Sequence, residues 1–242
     1  MAPLYKNFIF NEERGFIFAY TPKVACTNWK SIMRYLASAP DYLDNRLAHD
    51  KVKSGLRFLD FSGPDIRYLK DPGLRKYAFV RSPHSRILSA YLNKVESNLP
   101  LKDPAHGEDH WVKVSRAMDA FRTANLNTAH YPDLSFEVFL RFLNESGSHF
   151  RFDEHWQSQA ILLRWPEVKF DFIGRFENLG QDAAYVLKEI GCDIPFPTQK
   201  EVNFIATDAS SKLTEYLTQP CRKLLLSLYE ADFTAFGYDP RL

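Results

Sequence analysis

Short apolar runs alternate with amphipathic stretches along most of the chain. Gly15-Phe-Ile-Phe-Ala-Tyr20 is a continuous apolar run of strand length and reads as a buried strand. After a short turn, Trp29, Ile32, Met33 and Leu36 fall at helical spacing, with Thr27 or Asn28 as the N-cap. Tyr77–Val80 is a second apolar strand, followed by a helix whose inner face is Ile87, Leu88, Tyr91, Leu92 and Val95. Residues 96–132 are polar and irregular apart from a helix over Trp111–Ala124. Ser135–Leu143 reads as a helix with Phe136, Phe139, Leu140 and Leu143 inward. Phe170–Gly174 is a third strand, a helix follows over Leu179–Ile190, and the chain closes helically around Leu213–Leu217 and Leu224–Phe233. This alternation predicts an α/β fold, a central mainly parallel sheet with helices on both faces, in one domain spanning residues 1–242. Ligands of such sheets bind at the carboxyl ends of the strands.

Composition narrows the function. With 242 residues, 45% hydrophobic and 15% aromatic, the chain can bury a sizeable core, which excludes intrinsic disorder. Its 31 Lys+Arg against 30 Asp+Glu exclude a basic nucleic-acid binder. The near-neutral total hides an asymmetry: residues 1–100 carry +7 and residues 101–242 carry −6, which suggests an anionic ligand held by the first half. Cys26, Cys192 and Cys221 are too few and too scattered for a disulfide framework or a CxxC metal site. No HExxH or other metal spacing occurs among the seven histidines, so no metal is expected. Residues 1–20 hold neither a signal-peptide core nor a membrane anchor, so the expected location is cytoplasmic, or luminal if an anchor has been removed.

Two strand–turn–helix stretches carry candidate chemistry. In Tyr20-Thr-Pro-Lys-Val-Ala-Cys-Thr-Asn-Trp-Lys30 a strand runs into a tight turn that opens a helix beside Lys23, Thr27 and Asn28. Unpaired amides and the positive dipole end at a helix start, with a lysine and hydroxyl and amide donors, make a phosphate cradle. An ordinary capped helix with a surface lysine has the same spacing. The turn lacks the two glycines of a Walker A loop and suits a single 5′-phosphate better than a triphosphate with magnesium. In Phe79-Val-Arg-Ser-Pro-His-Ser-Arg-Ile-Leu-Ser-Ala-Tyr91, Arg81 leaves a strand end, Pro83 sits in the first helical turn, and Arg86 and Ser89 share a helix face. A guanidinium near a hydroxyl can grip a second phosphate, and surface ion pairs are the alternative. His84 reads as a surface residue at that helix start, and Trp29 reads as core.

Together these stretches resemble the two nucleotide-binding motifs of the carbohydrate sulfotransferases, most closely the chondroitin/dermatan 4-O-sulfotransferase-like group. Phe152-Asp-Glu-His-Trp-Gln157, Phe170-Asp-Phe-Ile-Gly-Arg-Phe-Glu-Asn-Leu179 with Asp182, and Leu228-Tyr-Glu-Ala-Asp-Phe-Thr-Ala-Phe-Gly-Tyr238 resemble later parts of the same family, in the same order. The resemblance implies a P-loop-like α/β sulfotransferase fold and the donor 3′-phosphoadenosine-5′-phosphosulfate (PAPS). By that matching, Lys23, Val24, Ala25, Cys26, Thr27, Asn28 and Trp29 wrap the 5′-phosphosulfate, while Arg81 and Ser89 hold the 3′-phosphate. Lys23 is expected to stabilise the leaving phosphate oxygen. His155 is the first candidate general base, with packing or orientation of the acceptor as its other reading, ahead of Asp60, Glu96, His106 and His110. Lys200 is read as solvated, with a 3′-phosphate contact as the alternative. The implied partner is a carbohydrate acceptor, for which the 96–132 segment with Lys102, His106, His110, Trp111 and Lys113 would help form a cleft. A protein tyrosine or small alcohol as acceptor, a small-molecule kinase, and a non-catalytic nucleotide-binding module are the competing readings.

Overall fold

The computed structural model describes residues 6–99, 109–204 and 206–241. Its elements in chain order are β1 (Phe8–Asn11), β2 (Phe16–Ala19), α1 (Cys26–Leu36), α2 (Asn45–His49), α3 (Ile66–Lys70), β3 (Arg75–Val80), α4 (Pro83–Lys94), α5 (His110–Asn125), α6 (Phe136–Glu145), α7 (Gln159–Leu162), β4 (Phe172–Arg175), α8 (Leu179–Glu189), α9 (Leu213–Tyr216) and α10 (Gln219–Phe236). The chain forms two compact units, one of residues 1–81 and 159–206, the other of 82–158 and 207–242.

The first unit holds a mixed α/β arrangement around one sheet in the order β1-β2-β3-β4. β2, β3 and β4 run parallel, as the alternation predicts, with Phe18 opposite Tyr77 and Phe79 opposite Gly174. β1, which the apolar pattern did not single out, joins as an antiparallel hairpin partner of β2. Its turn needs Gly15, whose φ of 65° lies in the left-handed region. Gly174 answers a different demand, since a Cβ there would lie 2.3 Å from the Phe79 ring. Alternation along the strands sorts the side chains by face. Ile9, Phe18, Tyr77 and Phe79 pack with Trp29, Ile32 and Met33 of α1 and Val186 and Leu187 of α8. On the other face Phe8 meets Phe61 and Phe170, and Phe10 meets Tyr68 of α3.

The second unit is helical. α4, α5, α6 and α10 enclose a core that includes Leu88, Tyr91, Met118, Phe139, Trp156 and Leu225. Side-chain caps fix the helix starts: Asp109 for α5, Ser135 for α6 and Thr218 for α10. α10 ends on Gly237, whose φ of 64° gives the left-handed C-cap that glycine favours. Among the described residues no helix is long and apolar enough to cross a membrane.

Candidate functional site

The turn after β2 departs from its expected form where the chemistry was placed. Neither Thr27 nor Asn28 caps α1. The N-cap is Ala25, at φ 51° and ψ 32°, and it has no side-chain group to offer the helix amides. Lys23 also has a positive φ, 69°. Two non-glycine residues in the left-handed region cost about 1–2 kcal/mol each, a strain that surrounding structure must hold in place. Part of that hold is local, since Val24 N donates to Thr21 O at 3.2 Å and Trp29 N to Ala25 O at 3.1 Å. The rest comes from Trp29, which is 1% exposed and packs against Phe18, Phe79 and Phe196 with ring centroids 4.5–4.8 Å apart. The Trp29 side chain thus belongs to the core. Cys26 opens α1 as a half-buried free thiol.

Several charged and polar groups converge on this turn within the first unit. Arg81, at the end of β3, is 5% exposed, and its Nη1 donates to the Lys23 carbonyl at 3.1 Å. Its guanidinium lies over the Phe176 ring at 4.1 Å. Gln159 holds the Arg81 backbone from both sides: its Oε1 accepts from Arg81 N at 2.9 Å and its Nε2 donates to Arg81 O at 2.8 Å. The Lys23 side chain is buried, with its ammonium 5.3 Å from the Phe204 ring. Asn28 Nδ2 donates to Pro197 O at 2.8 Å, which fastens the following loop to α1. Thr27 Oγ1 lies 2.9 Å from His49 Nε2, and Lys30 Nζ lies 3.5 Å from His49 Nδ1. No acidic residue stands in the first turn of α1. The result is a cationic, amide-rich turn that can receive an oxyanion.

In the second unit, Ser89 is 3% exposed and its hydroxyl pairs with that of Thr207 at 2.9 Å. Arg86 shares its helix face but serves the chain elsewhere, donating to Gln157 O at 2.8 Å and Glu154 O at 3.1 Å. It therefore braces the turn that carries His155. Tyr229 OH donates to Trp156 O at 2.6 Å, and Trp156 Nε1 to Phe150 O at 2.8 Å. Inside this braced turn Asp153 accepts from both the backbone N (2.9 Å) and Nδ1 (2.8 Å) of His155. The other Asp153 oxygen faces His110 Nε2 at 2.8 Å, and the Trp111 and His155 rings meet in a T-shaped contact, centroids 4.9 Å apart.

The electrostatics of this pair are opposed by burial. Burial pushes the His155 imidazole below its ordinary value, and the Asp153 carboxylate resists that push. Burial would raise Asp153, but hydrogen bonding and charge from His155 outweigh it and leave the carboxyl below its usual range. His155 is therefore neutral near pH 7. With Nδ1–H committed to Asp153, its Nε2 carries the lone pair.

The other candidates separate cleanly. Asp60 is paired with Lys6 at 2.6 Å, and that contact and Ser62 hold it well below the usual carboxylate range. Glu96 accepts from Tyr216 OH at 2.8 Å. Lys200 is exposed, as read from sequence. His106 and Lys102 lie outside the described residues. His84 corrects the sequence reading: it is 1% exposed rather than on the surface, because the first turn of α4 packs against Phe233, 5.0 Å away between ring centroids. Among the described residues no group of three or more His, Cys, Asp or Glu could hold a metal ion. Gln159, His49 and Thr207 escaped sequence reasoning, because each acts through contacts distant along the chain, while Arg86, which the sequence placed on one helix face with Ser89, is 1% exposed and donates to the His155 turn. Asp153 had a signal, its i, i+2 spacing to His155.

Comparison with known proteins bears on this arrangement. A model described as the sulfotransferase family matches residues 6–239. The chain is 31% identical over 97% of its length to carbohydrate sulfotransferase 14 of Danio rerio, covering 63% of that protein. It is 30% identical to carbohydrate sulfotransferase 11 of Danio rerio, with 96% of the chain and 67% of the relative covered. For carbohydrate sulfotransferase 12 of Xenopus laevis the figures are 29%, 96% and 60%. The chain thus spans roughly three-fifths to two-thirds of the length of these relatives. No solved structure matches it.

Proposed function

The chain belongs to the sulfotransferase family, and from that premise we propose that it transfers a sulfuryl group from PAPS to a hydroxyl of a carbohydrate acceptor by in-line displacement. The observation that carries this reading is the β2–α1 turn. Its left-handed Lys23 and Ala25 leave α1 without a side-chain cap, while Arg81 is tied to the Lys23 carbonyl. A bisphosphorylated nucleotide suits such residues, because buried positive side chains beside helix-start amides that have no side-chain cap favour an anion. The similarity to carbohydrate sulfotransferases supports a carbohydrate as the acceptor.

The roles follow from charge. PAPS supplies the sulfuryl group on a 5′-phosphate that is already a good leaving group. Residues 25–28 would hold the phosphosulfate through backbone amides and the Thr27 hydroxyl, since the amides of Val24 and Trp29 are spent within the chain, and Lys23 would place its charge where the leaving oxygen becomes negative. That interaction strengthens as the bond breaks, so it lowers the barrier rather than merely tightening binding. Arg81 and Ser89 are assigned the 3′-phosphate, for which a guanidinium is well matched. His155 takes the proton of the acceptor hydroxyl on Nε2. Asp153 holds the tautomer and stabilises the imidazolium as it forms, without itself taking the proton.

Calorimetry with the product nucleotide, 3′-phosphoadenosine-5′-phosphate, tests the donor assignment. Binding that an analogue lacking the 3′-phosphate largely loses is expected. Equal binding of the two nucleotides, or binding of ATP–Mg with none of the bisphosphate, would refute it.

A further inference from the structure

Thr27 is a donor to an anion only if its hydroxyl hydrogen points away from its neighbours. The structure places one neighbour where it decides that. Thr27 Oγ1 lies 2.9 Å from Nε2 of His49, the last residue of α2. A neutral imidazole has one donor and one acceptor nitrogen, so either the histidine donates to the threonine or the threonine to the histidine. In the second case Thr27 spends its only hydrogen on His49 and can offer an anion nothing but lone pairs.

Lys30 selects between the two. Its Nζ lies 3.5 Å from His49 Nδ1 and 3.9 Å from the centroid of the Tyr20 ring, and the residue is 3% exposed. An ammonium is attracted to the face of an aromatic ring, and it has only hydrogens to present. A hydrogen on Nδ1 would meet that charge head-on. The lone pair therefore belongs on Nδ1 and the hydrogen on Nε2, which donates to Thr27 Oγ1. Thr27 is left with its own hydrogen unspent.

We propose that Lys30 and His49 form a relay that orients the Thr27 hydroxyl as a donor to the 5′-phosphosulfate, making His49 a positioning residue of the donor site. This rests on the sulfotransferase reading above and adds to it a residue far from the motif. Its design has a physical advantage: a donor hydrogen fixed before the anion arrives need not be reoriented on binding. His49 is exposed, so replacing it disturbs little packing.

A double-mutant cycle read by calorimetry with 3′-phosphoadenosine-5′-phosphate tests the relay. A hydrogen bond to a charged group is worth about 1.5–3 kcal/mol, so Thr27→Val should weaken binding by about tenfold or more. His49→Ala should weaken it by about fivefold, since the hydroxyl keeps its place but loses its fixed direction. The double variant should bind no worse than Thr27→Val alone. His49→Gln, whose amide can donate from nearly the same place as Nε2, should recover most of the loss. Should Thr27→Val fold poorly, Thr27→Ala takes its place in the cycle. Additive losses would mean that His49 meets the ligand independently of Thr27, and they would overturn the relay. Unchanged binding in His49→Ala would overturn it as well. If the unaltered chain binds the nucleotide normally in either case, the donor assignment stands and only the relay falls. If the unaltered chain binds none, both fall together.

Discussion

Replacing Asp153 by asparagine keeps the size of the side chain and removes its charge. Asp153 accepts from the backbone N and Nδ1 of His155 at 2.9 and 2.8 Å, and its second oxygen faces His110. An asparagine oxygen can keep one of those contacts, so the turn braced by Arg86 should persist. On the proposed assignment, what is lost is the charge that would stabilise the imidazolium when His155 takes a proton. A hydrogen bond to a charged partner is worth about 1.5–3 kcal/mol, and about 1.4 kcal/mol is a factor of ten in rate. Turnover should therefore fall by about ten- to a hundredfold, with the KM for PAPS little changed. The pH dependence gives an independent sign. Burial already pushes His155 down and Asp153 opposes it, so removing the carboxylate lets the imidazole fall further. A base works when unprotonated, so its rate rises with pH through its own pKa, and the acid limb should move to lower pH. The assay is initial-rate transfer from radiolabelled PAPS across pH. Unchanged turnover, or an acid limb moved to higher pH, would refute the assignment of His155 as base and Asp153 as its partner.

Three further outcomes are expected. Arg81→Ala should erase the preference for nucleotides bearing a 3′-phosphate, measured by calorimetry; a preserved preference would reassign the second motif. Lys23→Ala should lower turnover by more than about a hundredfold while changing PAPS affinity far less, if its charge acts as proposed on the developing negative charge of the leaving oxygen. Burial, aided by the charge of Arg222, pushes His84 down to about 4. The unfolded chain binds that proton at about pH 6.5, so the neutral buried form contributes its full stability above that value and loses it as pH falls toward 4. The loss amounts to about 3 kcal/mol, and denaturation of His84→Leu between pH 7 and pH 4 should lack it.

The legible parts of the fold were those governed by periodicity. Three parallel strands and the main helices follow from apolar spacing, with ends that differ by a few residues, because burial repeats along the chain as the backbone does. β1 went unread because Phe8–Phe10 is too short a run to stand out before its hairpin partner is known. The cap of α1 was misread for a related reason. Threonine and asparagine are good N-caps in general, whereas an alanine in the left-handed region depends on its surroundings, here the backbone hydrogen bonds of the turn and the packing of Trp29 among its aromatic neighbours. Of the candidate site, Lys23, Arg81 and His155 were named from local motifs. What supports them was not: Gln159 lies 78 residues from Arg81, and His49 lies 22 from Thr27. Contacts of that kind leave no local pattern. Lys23, Lys30 and Arg81 all fall in the +7 half and all lie in the first unit.

The proposed reaction is one chemical event, the appearance of a sulfate ester on a carbohydrate hydroxyl at the expense of PAPS. Radiolabelled PAPS offered with a panel of glycans, protein tyrosine substrates and small alcohols measures it directly, with mass spectrometry of the labelled products. Label on a glycan is expected, one sulfate per modified hydroxyl, with an equal yield of 3′-phosphoadenosine-5′-phosphate. Label on tyrosine or a small alcohol alone, or nucleotide binding with no transfer to any acceptor, would rule that reaction out.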